Sequence, residues 1–145
     1  MRLINLKKRL VSLILALCMI ISVSGAAFAT AKASEYLSTY VISLEALGDG
    51  EMEIYYYVVG TGRMTKIGAQ ALYIDEYVNG SWSPYLTMTA AENDDFYGYN
   101  TASHAGFAYF TGTPGVEYRV TLKAYARNSS GSDTGTGTSL SETCQ

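Results

Sequence analysis

From residue 51 the chain alternates strictly. Met52, Ile54, Tyr56 and Val58 share one parity, and Glu51, Glu53, Tyr55 and Tyr57 the other. In an extended chain successive side chains point to opposite faces, so this stretch predicts a half-buried β-strand, broken at Gly60-Thr61-Gly62. Runs rich in Tyr, Val, Ile and Thr recur at residues 36–47, 67–77, 82–89, 107–111 and 116–127, with a more polar last run over 134–142. Gly, Asn, Asp and Ser separate them. Residues 91–103 are polar and read as a loop. Beyond residue 29 apolar residues nowhere recur at i, i+3, i+4 and i+7 over three turns, so that part offers no amphipathic helix. About seven short strands with turn residues between them predict an all-β fold, a single antiparallel β-sandwich.

Asn79-Gly80 predicts a hairpin between the runs at 67–77 and 82–89. A two-residue loop would pair Tyr77 with Trp82 and put Trp82, Leu86 and Met88 on the face of Tyr73 and Asp75. A three-residue loop, Val78-Asn79-Gly80, pairs Glu76 with Trp82 and gathers Leu72, Ile74, Trp82, Leu86 and Met88 into one apolar face. A one-residue slip exchanges the faces, and burial favours the apolar set. The three-residue loop with Trp82 in the core is therefore expected.

The most specific stretch is residues 111–132, TGTPGVEYRVTLKAYARNSSGS. It resembles the E–F corner and strand F of fibronectin type III domains, where a Pro-Gly turn precedes a Tyr, alternating apolar residues, an Ala and an Asn-x-x-Gly loop. The resemblance implies an immunoglobulin-like or fibronectin type III-like sandwich. It places Tyr118 at a tyrosine corner, its ring in the core and its hydroxyl bonded to backbone a few residues upstream. It turns Val120, Leu122, Ala124 and Ala126 inward, and Arg119, Thr121, Lys123, Tyr125 and Arg127 outward. Lys66-Ile67-Gly68-Ala69, Asn79-Gly80-Ser81-Trp82 and residues 127–132 also resemble stretches of short exported proteins of Gram-positive bacteria, which pair a signal peptide with one such domain.

The N-terminus changes the charge arithmetic. Arg2, Lys7, Lys8 and Arg9 precede an apolar run over residues 10–23, followed by small residues through Ala27-Phe28-Ala29. A basic start, a short apolar centre and an A-x-A end are those of a secretory signal peptide. The run is shorter than the ~20 residues a membrane span needs. Residues 1–29 are therefore expected to be a signal-peptide helix cleaved after Ala29, with Ala31-Lys32-Ala33 as the alternative, and residues 30–145 one secreted or cell-surface domain with a flexible C-terminal tail. Cys18, preceded by Leu17 inside the apolar run, belongs to the signal and not to a lipid-attachment box. Beyond residue 29 the sequence holds thirteen acids and six bases, a net charge of −7, and one cysteine, Cys144. That acidity argues against a nucleic-acid partner, and one His and one Cys leave little for zinc.

Each candidate for chemistry has a plainer reading. His104 has no second His nearby and reads as a surface loop residue. A nucleophile–base pair with Cys144 would need a rigid tail. Glu92-Asn93-Asp94-Asp95 lacks calcium-loop spacing and reads as a solvated acidic loop. Glu51 and Glu53 neighbour each other on a strand, but nothing marks a glycosidase cleft. Two N-x-[ST] triplets, at Asn79 and Asn128, are short patterns common by chance. The thirteen tyrosines carry more information. If the strands at 67–77 and 116–127 are neighbours, Tyr73, Tyr77, Tyr85 and Tyr125 gather on one outer face with Lys123, Asp75 and Arg119. Tyrosine combines a flat apolar ring with a hydroxyl and loses little rotamer entropy, which suits binding. Tyr55 and Tyr57, beside Glu51 and Glu53, form a second candidate face. The expected function is a non-enzymatic, cofactor-free module that recognises an extracellular glycan, wall component or protein through Tyr73, Tyr77, Tyr85, Tyr125 and Lys123. The alternative is a structural or self-associating surface protein, with open strand edges pairing and Cys144 cross-linking copies.

Overall fold

β-Branched and aromatic residues in period two leave the chain few options but extended pairing. The structure, a computed structural model, describes residues 34–145; the expected signal peptide lies outside them. Seven strands form one curled antiparallel sheet: β1 (Leu37–Gly48), β2 (Glu51–Val78), β3 (Ser81–Thr89), β4 (Tyr97–Thr111), β5 (Glu117–Arg127), β6 (Ser132–Thr138) and β7 (Glu142–Thr143). Among the described residues no helix is long and apolar enough to cross a membrane.

The 28-residue β2 organises the sheet. Its first half lies between β1 and β4, with Ile54 opposite Leu44 and Ala108. Its second half lies between β3 and β5, with Leu72 opposite Met88 and Leu122, and β6 extends β5 outward. Gly60-Thr61-Gly62, expected to break the strand, instead bends it. Val59 pairs with Ser103 and Met64 with Thr101, so four residues of β2 oppose one of β4. A side chain at Gly60 would meet Met64 Cγ at 2.8 Å, so the bend requires a bare backbone there. The two halves thereby face one another in a sandwich-like arrangement. Tyr40 on β1 reaches across to donate to the Thr136 carbonyl of β6 (3.1 Å).

Between the halves lies the core. Met52, Ile54, Tyr56 and Val58 enter it from one side, and Leu72, Ile74, Val120, Leu122, Ala124 and Ala126 from the other, all but inaccessible to solvent. Each such large side chain contributes roughly 1.5–3 kcal/mol of burial. Tyr118 is fully buried, and its hydroxyl accepts a hydrogen bond from the Thr113 N–H at 2.9 Å. Gly112 leaves room for that ring: a Cβ there would lie 2.8 Å from Tyr118 Cε2.

Three expectations are corrected. The hairpin loop has two residues, not three. Tyr77 pairs with Trp82, and Asn79 (φ 55°) and Gly80 (φ 80°) both adopt the positive φ of a type I′ turn. Trp82 is half-buried on the outer face, where its ring meets Tyr77 at 5.1 Å and lies under the Arg119 guanidinium at 4.4 Å. Leu86 and Met88 still face inward, opposite Ile74 and Leu72, because a bulge at Tyr85 reverses the parity of β3 midway. Residues 97–103 are strand, not loop, and belong to β4.

The C-terminal segment, expected as a flexible tail, is the third correction. β7 pairs with β5, the Cys144 N–H donates to the Val116 carbonyl (2.9 Å), and the Gly50 N–H donates to that of Gln145 (2.8 Å). Cys144 is 2 % exposed. A buried thiol is inert, so the Cys144 cross-link between copies has no accessible sulfur. In the native protein Cys144 should react with a thiol reagent at least about a hundredfold more slowly than in denaturant, corresponding to an opening free energy of about 3 kcal/mol. Stopped-flow labelling measures this, and equal rates would refute the burial.

Candidate binding face

The second half of β2 and its neighbours turn one parity into the core and the other to solvent. The solvent parity carries Tyr73, Tyr77, Tyr125 and Lys123, spread along one outer face: Tyr125 stands opposite Gly68, Tyr73 opposite Thr121 and Tyr77 opposite Glu117. Tyr85 is not among them. As the bulged residue of β3 it leans to the inner side, its ring 5.2 Å from Tyr118 and its hydroxyl donating to the Thr111 carbonyl at 2.7 Å. The structure thus sets Tyr85 apart from the other expected ligand-binding residues, beside the buried Tyr118.

Several members of this face were not foreseen. The sequence pattern puts Tyr97 in a loop and Trp82 in the core, whereas both lie on this outer face. Gly68 stands between Tyr97 and Tyr125, opposite both. The bare backbone at 68 lets the Phe96 carbonyl pass close by, and the two rings meet edge to face at 5.9 Å. Burial, followed by the neighbouring Tyr125 and Tyr99, pushes the Tyr97 phenol up to about 12, so it remains a neutral hydrogen-bond donor at ordinary pH. Lys66 Nζ lies 4.0 Å over the Tyr97 ring. Such a cation–π contact is worth roughly 0.5–1 kcal/mol at an exposed site. The Gly68 signal was present in the sequence as a lone glycine inside a strand pattern, which marks a bulge or a close approach.

These side chains enclose an open groove of about 440 Å³, with Lys66, Lys123, Tyr73 and Tyr97 along its walls and Gln70 and Ala71 in its floor. Gln70 owes its position to a bulge in which Ala69 pairs with Ala124 and Ala71 with Lys123, leaving Gln70 unpaired between them. Its backbone carbonyl accepts from the Ala90 N–H at 3.1 Å. Its side-chain oxygen is buried and has no hydrogen-bond partner among the described residues. A buried acceptor without a donor costs free energy. Among the described residues the one ion pair is Arg119–Asp75 at 3.1 Å, so Lys66 and Lys123 carry uncompensated charge.

The remaining candidates have structural roles. His104 Nε2 donates to the Asp95 carbonyl at 2.8 Å and so holds the 3-10 turn Asp94–Phe96 that leads into β4. Glu92 accepts from the Thr89 hydroxyl at 2.9 Å, and Asn93 Nδ2 donates to the Thr89 carbonyl at 2.9 Å, so the acidic loop is a hydrogen-bonded turn. Among the described residues no three of His, Cys, Asp and Glu come together to hold a metal ion. Glu51 and Glu53 sit on the outer face of the other half of the sheet with Tyr55 and Tyr57. The sequence matches no protein-family model and no curated protein.

Proposed function

We propose that the chain is exported by its N-terminal signal and that its domain is a fibronectin type III-like or immunoglobulin-like, non-enzymatic module that binds an extracellular glycan bearing anionic groups. The groove carries this reading. Two lysines outside any ion pair among the described residues flank tyrosine rings above a buried, partnerless amide oxygen. Lysines and rings each answer a feature of such a ligand. Carboxylate, sulfate or phosphate groups take the lysines, and the apolar faces of sugar rings stack on Tyr73 and Tyr97. An aromatic wall with a few convergent polar groups is the usual make-up of a small-ligand site. The fold assignment is supported by the packing of the two halves of the sheet on one core and by Tyr118 with its hydroxyl on the Thr113 amide.

A glycan array is the test. The wild-type protein is expected to retain uronate-, sulfate- or phosphate-bearing glycans and to ignore neutral ones. Lys66→Ala/Lys123→Ala should weaken binding at least tenfold, since hydrogen bonds to charged groups are worth roughly 1.5–3 kcal/mol. Tyr73→Ala/Tyr125→Ala should do the same. An array with no wild-type signal would remove the glycan reading.

A further inference from the structure

The first half of the sheet carries a second outer face of opposite sign. Residues 37–60 and 97–111, which include the β1 and β4 strands and the first half of β2, contain no Lys or Arg. Three acids, Glu45, Glu51 and Glu53, lie on the outer parity of these strands. Glu45 is paired directly opposite Glu53, and Glu53 is opposite Tyr109 on its other side. Like charges in direct cross-strand register repel. Here no cation of the described residues stands by to compensate them. Apolar and aromatic side chains surround this pair and project into solvent: Val41 is 50 % exposed, Phe107 51 % and Tyr109 58 %. Tyr55 packs on Phe107 at 5.2 Å, which makes a continuous aromatic ridge. The Glu53 carboxylate, directly across from Tyr109, pushes that phenol above its usual pKa. An exposed aromatic patch with a polar rim is the composition of an interaction surface.

The complement of this face exists on the same molecule. Of the six basic residues beyond residue 29, four (Lys66, Arg119, Lys123 and Arg127) lie on the outer face of β2 and β5, among Tyr73, Tyr97 and Tyr125. The core separates the two faces, so they point away from each other. We propose that the acidic aromatic face of one copy docks the basic aromatic face of a second copy, stacking chains head to tail. The interface is heterologous, and because the two faces lie on opposite sides of the core the copies stack in line and grow beyond a dimer. This inference is independent of the glycan reading, because it needs only the charges and rings of the two faces.

Sedimentation velocity of the purified chain without any glycan tests it. At about 0.01 M salt, where the Debye length is about 30 Å, the wild type should form species larger than a dimer as concentration rises. At about 1 M salt, where screening sets in within about 3 Å, it should revert to monomer. Glu45→Lys/Glu53→Lys and Lys66→Glu/Lys123→Glu should each raise the dissociation constant at least tenfold, with circular dichroism confirming that both remain folded. An equimolar mixture of the two variants should associate again, because each supplies the face that the other lost. The salt response of the wild type stands by itself should a variant fail to fold. A wild type that stays monomeric at low salt, a complex that stops at a dimer, or association indifferent to salt would overturn the proposal. So would a mixture of folded variants that stays monomeric.

Discussion

Gly68→Ala is expected to destabilise the domain by roughly 2–6 kcal/mol, a large share of the 5–15 kcal/mol that holds an ordinary domain folded. Two independent costs add. The backbone at Gly68 has φ 149°, a region that residues with a Cβ rarely adopt. A Cβ there would also lie 2.0 Å from the Phe96 carbonyl oxygen, which is backbone and cannot rotate away. Relief requires β4 to move off β2 just where the 3-10 turn enters it, which would part Tyr97 from Tyr125 and open the groove. The same substitution should therefore abolish glycan retention in whatever fraction still folds. Gly62→Ala is the control, because nothing lies within 4 Å of its Cβ position and the change should stay within about 0.5 kcal/mol. Urea denaturation of both variants measures the difference. A Gly68→Ala protein as stable as the control would show that the close passage of Phe96 is not as described.

Tyr118 is the position of the second large effect. Tyr118→Ala should cost about 3–5 kcal/mol, the usual range for removing a buried aromatic ring. The ring packs edge to face on Phe110 at 5.4 Å and on Tyr85 at 5.2 Å, and it also fills the space over Gly112 and Cys144. Collapse into the vacancy is hindered, because β5, β7 and the 112–116 turn are all tied to one another there. Tyr118→Phe separates ring from hydroxyl. It should cost about 1 kcal/mol, since the Thr113 N–H loses its acceptor while the ring stays. Amide exchange at Thr113 should quicken in Tyr118→Phe without a matching change in the middle of β2. If Phe and Ala proved equally destabilising, the hydroxyl and not the packing would dominate, contrary to expectation.

The two proposals share the basic face, which has a consequence for their tests. An anionic glycan seated between Lys66 and Lys123 occupies the charges that a second copy would need. Glycan binding and stacking are then mutually exclusive at that face, and their assays must be run separately.

How much could be read from residues alone differs from element to element. Strand parity was legible throughout. Met52–Val58 and Tyr118–Ala126 alternate so regularly that the buried set could be named residue by residue, because the pleat imposes period two whatever lies across the core. The membership of Tyr73, Tyr77, Tyr125 and Lys123 in one outer face followed from the same parity. Register did not follow. Asn79-Gly80 favoured a two-residue turn, while the apolar set of β3 favoured the other register. The conflict is resolved by a bulge at Tyr85, which the local sequence does not announce. That bulge is held by the Thr111 carbonyl and the Tyr118 ring, groups 26 and 33 residues away in the chain. Similarly, nothing in the polar run 91–103 says that Tyr97 will meet Tyr125, because the contact depends on three strands closing over one bare glycine. Parity is a property of a single strand and can be read from it. Bulges, register shifts and the groove at Gln70 arise where two or three strands must share hydrogen bonds, so only the assembled sheet decides them.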